Sequence, residues 1–119
     1  MYEFPKDKVV ECLKELADEH YQRRVWLATS GSEVSSFEEA VCGLFNDTGL
    51  AVDLENARPS VVFSLEIDES LRQLRQVITR ADRSFHAMPP AAVLERPEMR
   101  EIRYIAAKIL AKMDQEGIS

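Results

Sequence analysis

The chain has 119 residues, of which 45% are hydrophobic and 30% charged, and its net charge is −6. This length and composition predict a single folded domain, residues 1–119, with one core. The acidic balance argues against a nucleic-acid-binding protein, because affinity for phosphates depends on Lys and Arg. No apolar run approaches the length of a membrane span and the first residues do not resemble a signal peptide, so we expect a cytoplasmic protein.

Helical periodicity predicts the first helix directly after Pro5, a residue that suits the first helical position. Val9, Leu13 and Leu16 fall on one side of this helix. The next segment, 21–28, ends in four consecutive apolar residues and fits either a short helix or a buried strand. We favour a helix, because no second strand in the sequence would pair with it.

Residues 29–32 form a loop by composition, and a second helix is predicted after them. Ser36 and Glu39 have the spacing of a capping box, in which the hydroxyl accepts from the backbone N–H three residues later. The apolar stripe that follows includes Phe37 and Leu44. Gly49 suits the left-handed conformation that ends many helices.

The second half of the chain predicts two longer helices. Residues 51–64 read as the longest irregular connection, after which Ser64 caps a helix that runs to about Arg83. A single turn is expected before Pro97, which opens the last helix, and Gly117 ends it. The predicted fold is therefore all-α: an irregular bundle of four main helices plus one or two short helical turns.

Residues with catalytic or metal-binding chemistry are few and scattered. Cys12 and Cys42 each lie among apolar residues, which predicts two buried and inert thiols. Neither His20 nor His86 has enough neighbouring ligands at helical spacing for a metal site. We predict no catalytic residue, no metal ligand and no cofactor.

The net charge is unevenly distributed along the sequence. Residues 31–57 contain six acidic side chains and no Lys or Arg, while the rest of the chain is balanced. We favour acidic residues at a helix N-terminus and in loops, where the helix dipole or solvent accommodates them. The alternative is an acidic patch that steers a basic partner.

A row of arginines in the third main helix is the strongest positive feature. We predict that these side chains form a solvated face; a phosphate or nucleic-acid contact is the alternative, which the acidic net charge disfavours. The row consists of Arg72, Arg75, Arg80 and Arg83.

Three runs in the first half of the chain resemble a known family. They are YQRRVWLA at 21–28, EVSSFEEAVC at 33–42 and LFNDTGL at 44–50. Together they resemble the signature half of a family of small uncharacterised bacterial proteins. The resemblance implies a bacterial origin and a fold; it implies no activity and no catalytic residues.

The same segment contains the residues that we predict to bind a partner, since aromatic residues and arginine dominate binding hot spots. Two interpretations remain. We favour a structural one, in which an arginine pairs with an acidic residue of the next helix and locks two helices together; in the other, Trp26 or Tyr21 centres an interface. The candidates are Tyr21, Arg23, Arg24, Trp26, Glu38, Glu39 and Asp47.

The sequence favours a non-enzymatic protein-binding or regulatory module, and its size and acidity suit a small immunity-type partner protein. The expected partner is another protein, a basic one if the acidic residues form a patch, and a homodimer is also compatible. A membrane is not expected and nucleic acid is disfavoured. The second hypothesis is a small-ligand-binding protein or enzyme whose site assembles only in three dimensions; a nucleic-acid-binding regulator is the third.

Overall fold

The computed structural model describes residues 6–27, 36–56 and 61–118. Within these ranges the chain forms seven α-helices and two π-helical segments, and no described residue lies in a strand. The α-helices are α1 Lys6–Ala17, α2 Glu19–Tyr21, α3 Phe37–Val41, α4 Leu50–Asn56, α5 Leu65–Phe85, α6 Pro90–Leu94 and α7 Pro97–Gln115. The first π segment is Gln22–Trp26 and the second is Cys42–Asp47. The all-α prediction is confirmed.

The core lies between the three long helices, with α7 packed against both α1 and α5. Met99, Ile102 and Ile109 are almost fully buried on α7, as are Leu71 and Leu74 on α5. Their spacings of three and seven residues place each set on one side of its helix. Among the described residues, no helix combines the length and the apolar character that a membrane span requires.

The ambiguous segment after α1 is helical as far as the structure describes it. Asp18 caps α2, because its carboxylate accepts from the backbone N–H of Tyr21 at 3.0 Å. The chain then continues through the first π segment, where Trp26 is only 6% exposed. Trp26 therefore belongs to the core. Pro5, the predicted loop at 29–32 and Ala28 lie outside the described residues.

Helix α3 begins where the capping signal predicted. The Ser36 hydroxyl accepts from the backbone N–H of Glu39 at 3.1 Å. Gly49 has a φ of 75° and ends the second π segment, as the left-handed cap requires.

The irregular connection predicted for 51–64 was wrong in its first part, since α4 occupies Leu50–Asn56. Leu50 and Leu54 are buried on this helix. Asn56, Pro59 and two serines suggested an irregular connection, but the four-residue spacing of Leu50 and Leu54 was sufficient for two helical turns. The remainder, from Val61 to Phe63, forms a bend, and residues 57–60 lie outside the described part of the chain.

The prediction that both thiols are buried was wrong for Cys42, which is exposed, whereas Cys12 is 5% exposed. The wider π turn places three consecutive residues, Gly43, Leu44 and Phe45, inward and leaves Cys42 outside. Gly43 approaches α1 so closely that a Cβ there would lie 3.0 Å from the Cys12 sulfur. Burial also raises the pKa of the Cys12 thiol, which disfavours its reactive thiolate form.

Candidate functional site

A pocket of about 300 Å³ opens where the C-terminal end of α5 meets α6, the start of α3 and the first π segment. Pockets with apolar walls and a few polar groups are the usual place for ligands to bind. Trp26 and Phe37 reach it from the first half of the chain, and Phe85 and Val93 from the second. Tertiary packing therefore builds this site from segments that are far apart in sequence.

Three aromatic rings form one wall of the pocket. The rings of Trp26 and Phe37 lie edge to face, with centroids 6.1 Å apart and planes at 73°. The rings of Phe37 and Phe85 also lie edge to face, with centroids 5.2 Å apart and planes at 74°. Such pairs are favoured over face-to-face stacking by the ring quadrupoles. The indole N–H of Trp26 donates to a carboxylate oxygen of Glu15 at 2.9 Å, so the ring orientation is fixed.

The polar lining of the pocket is acidic. Glu38 in the first turn of α3 and Asp82 in the last turn of α5 both line it, together with Ser36 and His86. No Lys or Arg is present among the lining residues that the structure describes. The two carboxylates should therefore make the electrostatic potential of the pocket negative at neutral pH.

A strained turn connects the end of α5 to the residues that line the pocket before and at the start of α6. Ala87 has a φ of 65°, a conformation that is uncommon for residues other than glycine. The backbone N–H of Met88 donates to the carbonyl of Phe85 at 3.0 Å and closes the turn. Met88 and Pro90 then line the pocket. Unfavourable backbone conformations of this kind are concentrated at functional sites.

Two of the seven residues predicted to bind a partner line this pocket, namely Trp26 and Glu38. Glu39 and Asp47 are exposed and do not line it. Trp26 forms part of the pocket wall while remaining in the core, so the choice between core and interface was not exclusive.

The arginines of the first π segment lie elsewhere. Arg23 pairs with Glu19 at 2.8 Å and with Glu95 at 2.6 Å, and hydrogen bonding to Glu95 raises the pKa of its guanidinium. The guanidinium of Arg24 lies 5.5 Å from the centroid of the Tyr21 ring, within cation–π range. The lock with the acidic helix, predicted for Arg23 or Arg24, was therefore wrong for Arg23, which ties the first π segment to the end of α6.

Sequence reasoning missed a buried polar network beneath these arginines. Gln22 is fully buried, and its amide donates to the carbonyls of Glu15 and Leu16, both at 2.9 Å. Its amide oxygen accepts from Arg103 of α7 at 2.8 Å, and Arg103 also donates to the carbonyl of Leu94 at 3.0 Å. Burial lowers the pKa of Arg103. The network joins α1, the first π segment, α6 and α7, and its role is structural.

The arginine row on α5 is only partly a solvated face. Arg72 donates to the carbonyl of Leu54 at 2.8 Å and caps the C-terminal end of α4, where a cation is favourable. Arg75 of α5 forms an ion pair with Glu55 of α4, with a nitrogen–oxygen distance of 2.9 Å. These two side chains therefore hold α4 in place. Arg80 is exposed and lies 3.6 Å from Glu101, and Arg83 is exposed as well.

The part of the chain that the structure describes contains no group of three or more His, Cys, Asp or Glu side chains placed to hold a metal ion. No protein-family model, curated protein or solved structure matches this chain.

Proposed function

We propose that this protein is a non-enzymatic binding module that regulates another protein, and that the pocket between α3, α5 and α6 is its recognition site. The observation that carries the proposal is the composition of that pocket. It combines an aromatic wall with Glu38 and Asp82, and the described lining residues offer no opposing Lys or Arg. Apolar contact area supplies affinity in such sites, and the charge selects the partner.

The acidic face around the pocket extends the same preference. Glu39 lies beside Glu38 in the first turn of α3 and is exposed. A basic protein approaching this side would be steered toward the pocket. Together with the resemblance to small bacterial proteins, this supports a cytoplasmic protein of bacterial origin that acts as a small acidic partner of the immunity type.

A small-ligand-binding protein or enzyme is the second candidate, because Ser36, Asp82 and His86 line one pocket. Nucleophilic catalysis requires a base within hydrogen-bond reach of the nucleophile. In the described structure the Ser36 hydroxyl accepts from the backbone of Glu39, and no hydrogen bond joins the three side chains. This arrangement favours binding over hydrolysis.

Site-specific photocrosslinking tests the proposal. A photoreactive benzoylphenylalanine replaces Ala87 at the pocket, and in a matched control it replaces Ala107, an exposed alanine of α7 that does not line the pocket. Cells expressing each variant are irradiated, and the adducts are identified by mass spectrometry. We expect one protein to be captured from position 87 and not from position 107, and to form a complex of defined stoichiometry when purified. Equal capture at both positions, or no protein adduct from position 87, would contradict the proposal.

A further inference from the structure

We infer that the pocket receives a basic side chain of the partner, an arginine in preference to a lysine. This inference rests on the proposed function, because it names the chemical group that the recognition site takes. Three properties of the pocket lead to this inference. They are its size, the apolar and acidic residues that line it, and the absence of an ion pair between its carboxylates and a cation of the described chain.

The pocket is too small for a large ligand. Its volume of about 300 Å³ lies at the lower end of the range of roughly 300–1,000 Å³ that is typical of small-molecule sites. A dinucleotide or a comparable cofactor would not fit within it. One long side chain inserted from a partner surface fits within this volume.

The walls match a side chain that is apolar along its stem and charged at its tip. The rings of Trp26, Phe37 and Phe85 pack against one another, and Met88 and Val93 add further apolar lining. These groups would bury the methylene groups of an arginine or lysine, whose stems commonly pack on apolar surface. Aromatic rings also attract a cation directly, and arginine takes part in such contacts more often than lysine.

The carboxylates of the pocket are available to such a cation. Elsewhere in the described structure several exposed acidic residues already pair with a base; for example, Glu55 pairs with Arg75 and Glu66 with Lys112. Glu38 and Asp82 pair with no cation in the described ranges of the chain. A guanidinium that entered between them would gain charge-assisted hydrogen bonds, which are stronger than neutral ones.

Fluorescence of Trp26, the sole tryptophan of the chain, reports directly on the pocket. The purified protein is titrated at pH 8 with N-acetyl-arginine amide, with the lysine analogue, and with N-acetyl-citrulline amide, which has nearly the shape of the arginine compound but no charge. We expect a saturable change in emission with the arginine compound and weaker binding of the lysine analogue. The citrulline compound should bind with an affinity at least about 3-fold lower than that of the arginine compound, because an exposed ion pair of moderate strength contributes about this much. Equal affinity for arginine and citrulline would overturn the inference.

Charge variants locate the binding. Glu38→Gln and Asp82→Asn should each weaken arginine binding at least about 3-fold, whereas Glu39→Gln, which removes the same charge one residue outside the pocket, should leave it nearly unchanged. Thermal melts of each variant verify that the fold is retained. A loss with Glu39→Gln as large as that with Glu38→Gln would show general attraction to the acidic face and would overturn the inference.

A free cation is the competing occupant, and putrescine is the probe for it. Tighter binding of putrescine than of the arginine amide would assign the pocket to small diamines and overturn the inference.

The failure of the proposed function and the failure of this inference can be told apart. Capture of a protein from position 87 without saturable arginine binding would refute the basic side chain alone. Arginine binding without any captured protein would refute the binding module and leave the chemistry of the pocket supported.

Discussion

The hydrogen-bond network around Gln22, which includes Arg103, should contribute a large part of the stability of this domain. The informative change is Gln22→Met, because methionine has a similar length and volume but cannot form these hydrogen bonds. The substitution leaves little cavity, so the measured loss reports on hydrogen bonding. It also leaves the Nε–H of the partly buried Arg103 side chain without its acceptor.

The expected loss follows from three hydrogen bonds. Gln22 donates to two backbone carbonyls and accepts one bond from the charged Arg103. Neutral bonds contribute about 0.5–1.5 kcal/mol each and bonds to charged groups about 1.5–3 kcal/mol, but losses in one network are not additive. We expect Gln22→Met to lower the free energy of unfolding by about 3 kcal/mol, less than the total stability of roughly 5–15 kcal/mol that is usual for a domain.

Urea unfolding measures this loss, with Trp26 fluorescence and far-UV circular dichroism as independent probes. With a denaturant slope of about 1–3 kcal/mol/M, the midpoint should fall by roughly 1 M or more. Arg103→Met and the double variant complete a thermodynamic cycle. Each single change leaves a buried partner unsatisfied, so the double variant should be more stable than the sum of the two losses predicts by at least about 1 kcal/mol.

Two results would refute this reasoning. The first is a free energy of unfolding for Gln22→Met within about 0.5 kcal/mol of the wild-type value. A change of that size is typical of a surface substitution and would show that the network does not stabilise the fold. If the two losses are additive, Gln22 and Arg103 act independently, and the hydrogen bond between them contributes nothing measurable.

Three further predictions test other parts of the structure. Ala87→Gly should raise the free energy of unfolding by about 1 kcal/mol, because relief of the steric strain at this positive φ outweighs the larger conformational entropy that glycine loses on folding; a lower melting temperature would show that Ala87 is not strained. Gly43→Ala should destabilise the wild type by about 1–3 kcal/mol through its contact with the Cys12 sulfur, and much less in a Cys12→Ala background; equal losses in both backgrounds would exclude that contact as the cause. Hydrogen bonding from Lys112 lowers the pKa of Glu66, so this pair stabilises the fold at neutral pH and its contribution disappears as the pH falls through that lowered pKa. In the Lys112→Met variant, the free energy of unfolding should therefore fall less on acidification than in the wild type. Urea unfolding at several pH values measures this difference, and an unchanged pH dependence would show that the pair is not coupled to folding.

Local signals in the sequence predicted much of the helical framework. The start of α3 at Ser36 and the cap of α5 at Ser64 follow from hydroxyl side chains that accept from the backbone three residues later. The stripe of α7 follows from the 3.6-residue period alone. These features depend on neighbours within one or two turns, so they could be read without knowledge of the rest of the chain. The resemblance to a bacterial family and the binding role remain predictions.

Only the tertiary structure decided which distant residues meet. The pocket joins Trp26 and Glu38 to Asp82 and Phe85, and the stripe pattern of α5 carries no information about what its last turn faces. Arg103 follows Ile102 directly in the sequence, and nothing local shows that a buried glutamine 81 residues earlier accepts its hydrogen bond. Helix formation is set by short-range backbone bonds and periodic burial, whereas a site depends on the angles at which helices cross and on where the turns between them lead. Those angles result from packing side chains of the whole core at once, and so the pocket and its acidic lining appear only in the folded chain.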